Sequence, residues 1–336
     1  MRALREVFPE AYIAYVCNGR AESVLRHNPH LDRVFVIEKD EYRSLYRRSK
    51  WAFIKAFGRQ LQELRRCRFN YLVDLSLGDR YSLGALLMGI RKRVGFDFKG
   101  RGRFLTTRLP ISGYHDNHVV EYLFKLLREV GIECTPGPLE FQLTDEESAQ
   151  AAERLRQGGL DLKQKLVVLI PGGGASWGEN AHIRRWSPER FAAVGDRLCE
   201  KGGRQLLLLG DSRDQPVTEA VERALKVPVL NLSGHTALRE FAAILSHCEL
   251  VVCNDGGPLH IAVSQGVKTV SLFGPVDDRV YGPYPKLEDR HRVVRMDLEC
   301  QPCYHQFKMP PCPYELRCLR ELSEDEVVNA AEDLLS

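Results

Sequence analysis

The chain has 336 residues, 44% of them hydrophobic and 28% charged, with a formal net charge of +3. That length is a prior for two domains, and the composition is that of a globular chain able to build a core in each half. No run of about 18 apolar residues occurs, so no membrane-spanning helix is expected, and the charged, amphipathic start Met1–Phe8 lacks the apolar segment of a signal peptide. The ten cysteines are accordingly expected to be reduced thiols in a cytoplasm. The small net charge hides an uneven distribution. Tyr42 to Arg68 carries nine Lys/Arg against the single acid Glu63, a net of +8, and Arg91 to Arg108 carries seven against Asp97, a net of +6. A front half this basic implies either an anionic partner or a solvated helix face.

In chain order, strands are expected at Tyr12–Cys17, Val34–Ile37, Tyr71–Ser76 and Arg93–Phe96, mostly continuous apolar runs of the kind buried parallel strands show. Between the second and third lies a helix with Ile54, Phe57, Leu61 and Leu64 at helical spacing, and another runs from about Asp116 to Val130 and stops at Gly131. Cys134-Thr135-Pro136-Gly137-Pro138 breaks the pattern, and Thr144-Asp145-Glu146-Glu147 opens a new helix with a capping box. The domain boundary is expected near residues 140–163, giving units 1–150 and 151–336. Strands then follow at Leu166–Ile170, Gln205–Leu209, Val229–Leu232, Leu250–Asn254 and Thr269–Phe273, separated by helices at Pro188–Lys201, Val217–Leu225, Ala237–Ser246 and Pro258–Gln265. Two blocks of strand–helix alternation imply two doubly wound α/β domains.

The segment Asn254-Asp255-Gly256-Gly257-Pro258-Leu259-His260 carries the most chemistry. A strand ends at Asn254, two glycines allow a ligand close to the backbone, and Pro258 suits the first turn of a helix. The N-terminus of that helix is an anion site, with His260 in its first turn as a phosphate donor. Asp255, at the carboxyl end of the strand, suits ribose or sugar hydroxyls. Pro171-Gly172-Gly173-Gly174 follows the first strand of the second half and is neither a full G-x-G-x-x-G nor a P-loop. Arg184 and Arg185 are candidates to neutralise a diphosphate, Trp186 reads as core, and Ser187-Pro188-Glu189 reads as a helix cap. Asp211 or Asp214 can accept from ribose hydroxyls, and the loop Ser233-Gly234-His235 can flank a base.

Taken together, Pro171-Gly172, Arg184–Phe191, Leu209-Gly210-Asp211, Leu232–Leu238, Asn254–Ala262 and Leu272-Phe273-Gly274-Pro275 resemble glycosyltransferase family 9, the lipopolysaccharide heptosyltransferases. The resemblance implies a GT-B fold, with two Rossmann-like domains facing a cleft, donor in the C-terminal one and acceptor in the N-terminal one. It implies an inverting, metal-independent transfer of a heptose-type sugar from an ADP-sugar to the lipopolysaccharide inner core or a related surface glycan, without a cofactor. The partners implied are that donor and an anionic, lipid-linked acceptor, with no nucleic acid. The location implied is the cytoplasm, peripheral on the cytoplasmic face of the inner membrane. The donor-binding residues implied are Arg184, Asp211, Asp214, Gly234, Asp255, Gly256, Gly257 and His260, Arg184 standing where the family has a donor-phosphate lysine.

Two departures matter. Position 256 is Gly where the family usually has Thr. The family's first strand and a loop ending in Gly-Asp, whose Asp is the candidate general base, are expected ahead of Arg2–Phe8, so the expected base lies upstream of Met1. A truncated start is the preferred explanation; the alternative is a catalytically silent nucleotide-sugar-binding paralogue with a regulatory or assembly role. A nicotinamide-dependent enzyme is disfavoured because no dinucleotide fingerprint follows either first strand. Cys300, Cys303, Cys312 and Cys318 form a C-x2-C-x8-C-x5-C run whose first pair has metal-ligand spacing; thiols that pack together are expected there rather than a metal.

Overall fold

A computed structural model describes residues 1–173, 178–200 and 203–336. Gly174 of the glycine-rich loop and Lys201 at the end of the expected helix lie outside the described residues. The chain divides into two compact units, Met1–Pro136 and Gly137–Ser336.

The first unit runs α1 (Arg2–Val7), β1 (Ala14–Cys17), α2 (Gly19–Leu25), β2 (Arg33–Val36), α3 (Lys39–Arg48), α4 (Lys50–Arg66), β3 (Tyr71–Asp74), α5 (Arg80–Leu87), β4 (Lys92–Phe98), β5 (Thr107–Ile111) and α6 (Val119–Arg128). Its strands are parallel and fall into two pieces, β1–β2 and β3–β4–β5. The strand β5 was not expected from sequence. It opens on two polar residues, alternates half-buried and exposed positions, and contains Pro110, which an edge strand tolerates because its N–H side need not join a ladder. Val94, Phe96 and Leu126 form the buried centre of this unit.

The second unit runs α7 (Asp145–Gln157), β6 (Leu166–Ile170), a 3-10 turn (Gly178–Arg184), α8 (Pro188–Glu200), β7 (Gln205–Leu208), α9 (Gln215–Ala224), β8 (Val229–Asn231), α10 (Leu238–Leu245), β9 (Leu250–Asn254), α11 (Gly257–Ser264), β10 (Lys268–Leu272), α12 (Asp278–Tyr281), β11 (His291–Val294), α13 (Arg317–Arg320) and α14 (Glu324–Leu335). The boundary precedes the expected division after residue 150, and α7 shows why. Its capping box is formed, with Thr144 Oγ1 accepting from Glu147 N at 3.2 Å and Glu147 Oε2 from Thr144 N at 2.9 Å. The helix then buries Ala151 and Leu155 in the second unit's core, and Glu147 pairs with Arg239 of α10.

All six strands of the second sheet are parallel, in the order β11-β10-β9-β6-β7-β8. Every residue of β6 and β9 is buried. Alternate side chains feed opposite layers: Val167 and Leu169 join the layer under α8 and α14, while Leu166, Val168 and Ile170 join the layer under α7, α10 and α11. The chain starts at β6, steps to β7 and β8, then returns to β9 on the other side. The neighbours β6 and β9 therefore mark the switch point, where the loops leaving two adjacent strands part to opposite faces and open a crevice at their carboxyl ends.

Candidate donor site

The loops at this switch point are held by Asn254, the last residue of β9, which is completely buried. Its Nδ2 donates to Pro171 O at 2.7 Å and its Oδ1 accepts from Trp186 N at 3.1 Å, tying the end of β9 to the loop after β6 and to the end of the 3-10 turn. Trp186 is core, as its sequence context suggested: it is buried, stacks edge-on against Phe191 and donates Nε1–H to Leu322 O at 3.2 Å. Gly256 follows at the helix cap, and a Cβ there would stand 2.1 Å from Gly173 O, so the two loops meet backbone to backbone. That contact accounts for glycine at position 256: on this backbone a threonine side chain has no room.

Above this floor lies a hollow of about 190 Å³ lined by Arg184, Asp255, Gly256, Gly257, His260, Val276, Tyr281 and Tyr304. Five of the residues expected from sequence, Arg184, Asp255, Gly256, Gly257 and His260, are thus brought together. Arg184 Nη1 donates to Asp255 Oδ2 at 2.9 Å, and both residues are buried. Burial drives the Asp255 carboxyl above its ordinary value, and the guanidinium beside it opposes that shift. The α11 helix starts at Gly257 with Pro258 in its first turn, which puts Gly257 and, one turn in, His260 in the lining of the hollow.

Sequence reasoning missed the two tyrosines. Tyr281 of α12 and Tyr304 stand with ring centroids 6.0 Å apart, and Tyr304 is anchored through its own N–H and that of Cys303, which both donate to Pro275 O at 3.0 and 2.8 Å. Burial raises the Tyr304 hydroxyl pKa. Only the phrase Gly274-Pro275, already singled out, marks this loop in the sequence.

The remaining expected residues stand apart from the hollow. Asp214 is almost fully buried between glycines: a Cβ on Gly172 would fall 1.9 Å from its Cγ and one on Gly210 would fall 2.9 Å from its Cβ. Its Oδ1 accepts from Arg185 Nη2 at 2.7 Å, and Arg185 Nε donates to Gly172 O at 2.8 Å. Burial, then the neighbouring Asp211, raises the Asp214 pKa against Arg185. Arg185 is thus engaged with Asp214, and Asp211 caps the turn by accepting from Arg213 N at 2.8 Å. Gly234, in a left-handed conformation at φ 77°, adjoins a second hollow of about 240 Å³ lined by Gln215, Glu219, Glu222, Asn231, Ser233 and His235. The Ser233 hydroxyl is buried there without a hydrogen-bond partner among the described residues. Among the described residues no three His, Cys, Asp or Glu side chains are grouped as a metal ion would need, the four late cysteines included.

The comparisons with known proteins agree with this architecture. The family model described as glycosyltransferase family 9 (heptosyltransferase) matches residues 57–312. The chain is 28% identical over 282 residues to lipooligosaccharide heptosyltransferase 2 of Campylobacter jejuni, covering 79% of this chain and 80% of that protein. Among solved structures it is similar to a family 9 glycosyltransferase from Veillonella parvula, with a TM-score of 0.84, 24% identity and coverage of 99% and 91%. It is also similar to Escherichia coli ADP-heptose LPS heptosyltransferase II, with a TM-score of 0.73, 21% identity and coverage of 99% and 92%. With parallel α/β units of the GT-B class and a family match over most of its length, the chain belongs to glycosyltransferase family 9, the heptosyltransferases, and is a glycosyltransferase.

Proposed function

We propose that the chain transfers a heptose-type sugar from an ADP-sugar to the lipopolysaccharide inner core or a related surface glycan, with inversion and without a metal. The observation that carries this reading is the hollow at the β6/β9 switch point, where Arg184, Asp255, His260 and the start of α11 converge. Its volume is below the roughly 300–1,000 Å³ of a whole-ligand pocket, and suits the diphosphate and adjoining sugar, leaving the nucleoside to lie outside it. The second hollow, with Gly234 beside it and an unsatisfied Ser233 hydroxyl, is assigned to the nucleoside. The names of similar proteins support a heptose donor and a lipopolysaccharide-type acceptor.

In an inverting transfer the acceptor oxygen attacks the anomeric carbon from the face opposite the nucleotide. The C–O bond to the diphosphate breaks, and negative charge develops on the departing phosphate oxygens. Fixed N–H dipoles at the start of α11, a donor from His260 and the Arg184 guanidinium are aimed at that charge. The Arg184 charge is already shared with Asp255, so the pair adds little net field. Its contribution is directional: Asp255 holds the guanidinium in place, which leaves the helix terminus as the uncompensated positive end. As the new C–O bond forms, the acceptor hydroxyl releases its proton to solvent and ADP leaves with the electron pair of the broken bond.

The acceptor would be anionic and lipid-linked, and the chain would work in the cytoplasm at the face of the inner membrane. No helix among the described residues is long and apolar enough to cross a membrane, so contact would be peripheral and through the basic first unit. A thermal-shift and calorimetric comparison of ADP-, UDP- and GDP-sugars tests the donor. Preference for ADP-heptose with ADP release on adding a lipopolysaccharide core acceptor is expected. Tight binding without release would favour the silent nucleotide-sugar-binding alternative, and indifference to the nucleotide would overturn the donor assignment.

A further inference from the structure

The helices α3 and α4 are joined by the single residue Ser49, which ends one and caps the other, its Oγ accepting from Ala52 N at 3.2 Å. Ring contacts pair Tyr46 with Phe53 at 5.3 Å and Tyr42 with Phe57 at 6.2 Å, so the helices run antiparallel as a hairpin. Gln60 ties its base to β2 by donating to Val36 O at 3.0 Å. Beyond that base the hairpin has no core: among the described side chains from residue 40 to residue 63 none is buried, and Leu64 is the first that is. Phe53, Phe57 and Leu61 point along the inner stripe. Ile54, at the edge of that stripe, lies three residues from Trp51 near the tip. Trp51 is 81% exposed, Ile54 55% and Tyr46 of α3 52%. Around them stand Arg47, Arg48, Lys50, Lys55 and Arg59, all exposed and without an ion-pair partner among the described residues.

We infer that the tip of this hairpin is a membrane wedge: Trp51, Ile54 and Tyr46 enter the interfacial layer of an anionic bilayer while Arg47, Arg48, Lys50 and Lys55 meet its phosphates. Aromatic and aliphatic side chains ringed by same-sign cations are the composition of interfacial helices, and polybasic segments are drawn to anionic leaflets. A second copy of the hairpin is the poorer fit, since it would bring together two segments, Lys39 to Arg66, that each carry a net charge of +6. About thirteen residues of α4 separate Trp51 from Leu64, roughly 20 Å of helix, so the tip can enter a surface while the body of the unit stays in water. The inference rests on the reading that the acceptor is lipid-linked, and its test needs no turnover.

The test is co-sedimentation of the full chain with vesicles of phosphatidylethanolamine and phosphatidylglycerol, or of phosphatidylcholine alone. Emission of Trp51, taken as the difference between wild type and Trp51→Phe, is read with brominated acyl chains present. Wild type is expected to pellet with the anionic vesicles only, with Trp51 emission moving to shorter wavelength and quenched by the brominated chains. The double variant Trp51→Ala/Ile54→Ala should bind those vesicles about tenfold or more weakly, and Arg47→Gln/Arg48→Gln should lose about fivefold per charge, both keeping wild-type calorimetric affinity for ADP. Equal sedimentation of the double variant and wild type, equal binding to both vesicle types, or an unquenched Trp51 would overturn the wedge. That result would leave the proposed transfer reaction standing, because ADP binding and ADP release are measured separately.

Discussion

Replacing Arg184 by alanine separates the structural and the ligand-binding roles of the hollow. Arg184 and Asp255 pair at 2.9 Å with side chains 7% and 5% exposed. Removing one member of such a buried pair typically costs about 3–5 kcal/mol, because the other charge is left uncompensated. At about 2–4 °C per kcal/mol for a unit of this size the melting temperature should fall by roughly 6–20 °C at neutral pH. The penalty should depend on pH, with a definite sign. Burial raises the Asp255 pKa, and in the variant the opposing guanidinium is gone. Its folded-state pKa then lies above the unfolded value of about 3.9, so the native state holds the proton more tightly. Wild type and variant therefore lose stability in parallel just above the unfolded value; the variant's extra penalty opens above the wild-type folded pKa and grows by about 1.36 kcal/mol per pH unit until its own, higher folded pKa is passed. Thermal denaturation of wild type, Arg184→Ala, Asp255→Asn and Arg184→Met/Asp255→Asn from pH 4 to 8 checks this. The double variant should regain much of the lost stability, since no charge is left buried alone. It should not regain ADP affinity, for which loss of a charged hydrogen bond is worth about 1.5–3 kcal/mol, or roughly 10- to 150-fold. Additive single losses in stability, or an Arg184→Ala penalty that does not change with pH, would refute the buried pair. Unchanged ADP affinity in the double variant would refute the donor role.

Gly172→Ala should destabilise the second unit by several kcal/mol, about the size of an overpacked core site, because its Cβ would fall 1.9 Å from Asp214 Cγ; chemical denaturation measures it, and a near-neutral result would refute the Arg185–Asp214 lock. Gly256→Thr should lower ADP affinity by at least about tenfold in calorimetry, since a Cβ at 2.1 Å from Gly173 O must push the loops apart; improved affinity would show that the contact is not part of the site. Ser323→Ala removes the side chain that caps α14 by accepting from Glu326 N at 3.3 Å and should cost about 1 kcal/mol without altering ADP binding, a control for general destabilisation by denaturant titration.

How much of this was legible depended on burial. The strands β6 and β9 coincide with the expected Leu166–Ile170 and Leu250–Asn254, because fully buried parallel strands are written as continuous apolar runs. The edge strands β5 and β11 were missed: Thr107–Ile111 and His291–Val294 mix polar residues with apolar ones, as a strand with one open side can. The helix α14 was missed although Ser323 and Glu326 spell out a capping box that the structure forms. Within the site, Arg184 and Asp255 were each singled out in the sequence, but their mutual pairing was not legible, since 71 residues separate them. Asp214 was read as a ribose acceptor; the structure engages its carboxylate with Arg185, 29 residues earlier in the sequence. Tyr281 and Tyr304 had no periodicity to reveal them, lying on a four-residue helix and in an irregular loop.

The order of strands explains why these contacts cluster where they do. Because the chain returns past β6 to lay down β9, the loops after those two strands leave a common edge in opposite directions, and the floor between them must be closed by backbone. Side chains would hold the loops apart, so Gly173 and Gly256 meet directly, and Asn254 supplies from one amide the donor and acceptor that the converging backbones lack. Closing the floor this way leaves charged groups as the walls. Arg184 arrives from the 3-10 turn after β6 and Asp255 from the loop after β9, one from each side of the switch point, and they are buried against each other. In the proposed reading a diphosphate in the hollow would share the guanidinium with Asp255, beside the start of α11 and His260, and the pair would fix the position and orientation of the cation rather than add net charge.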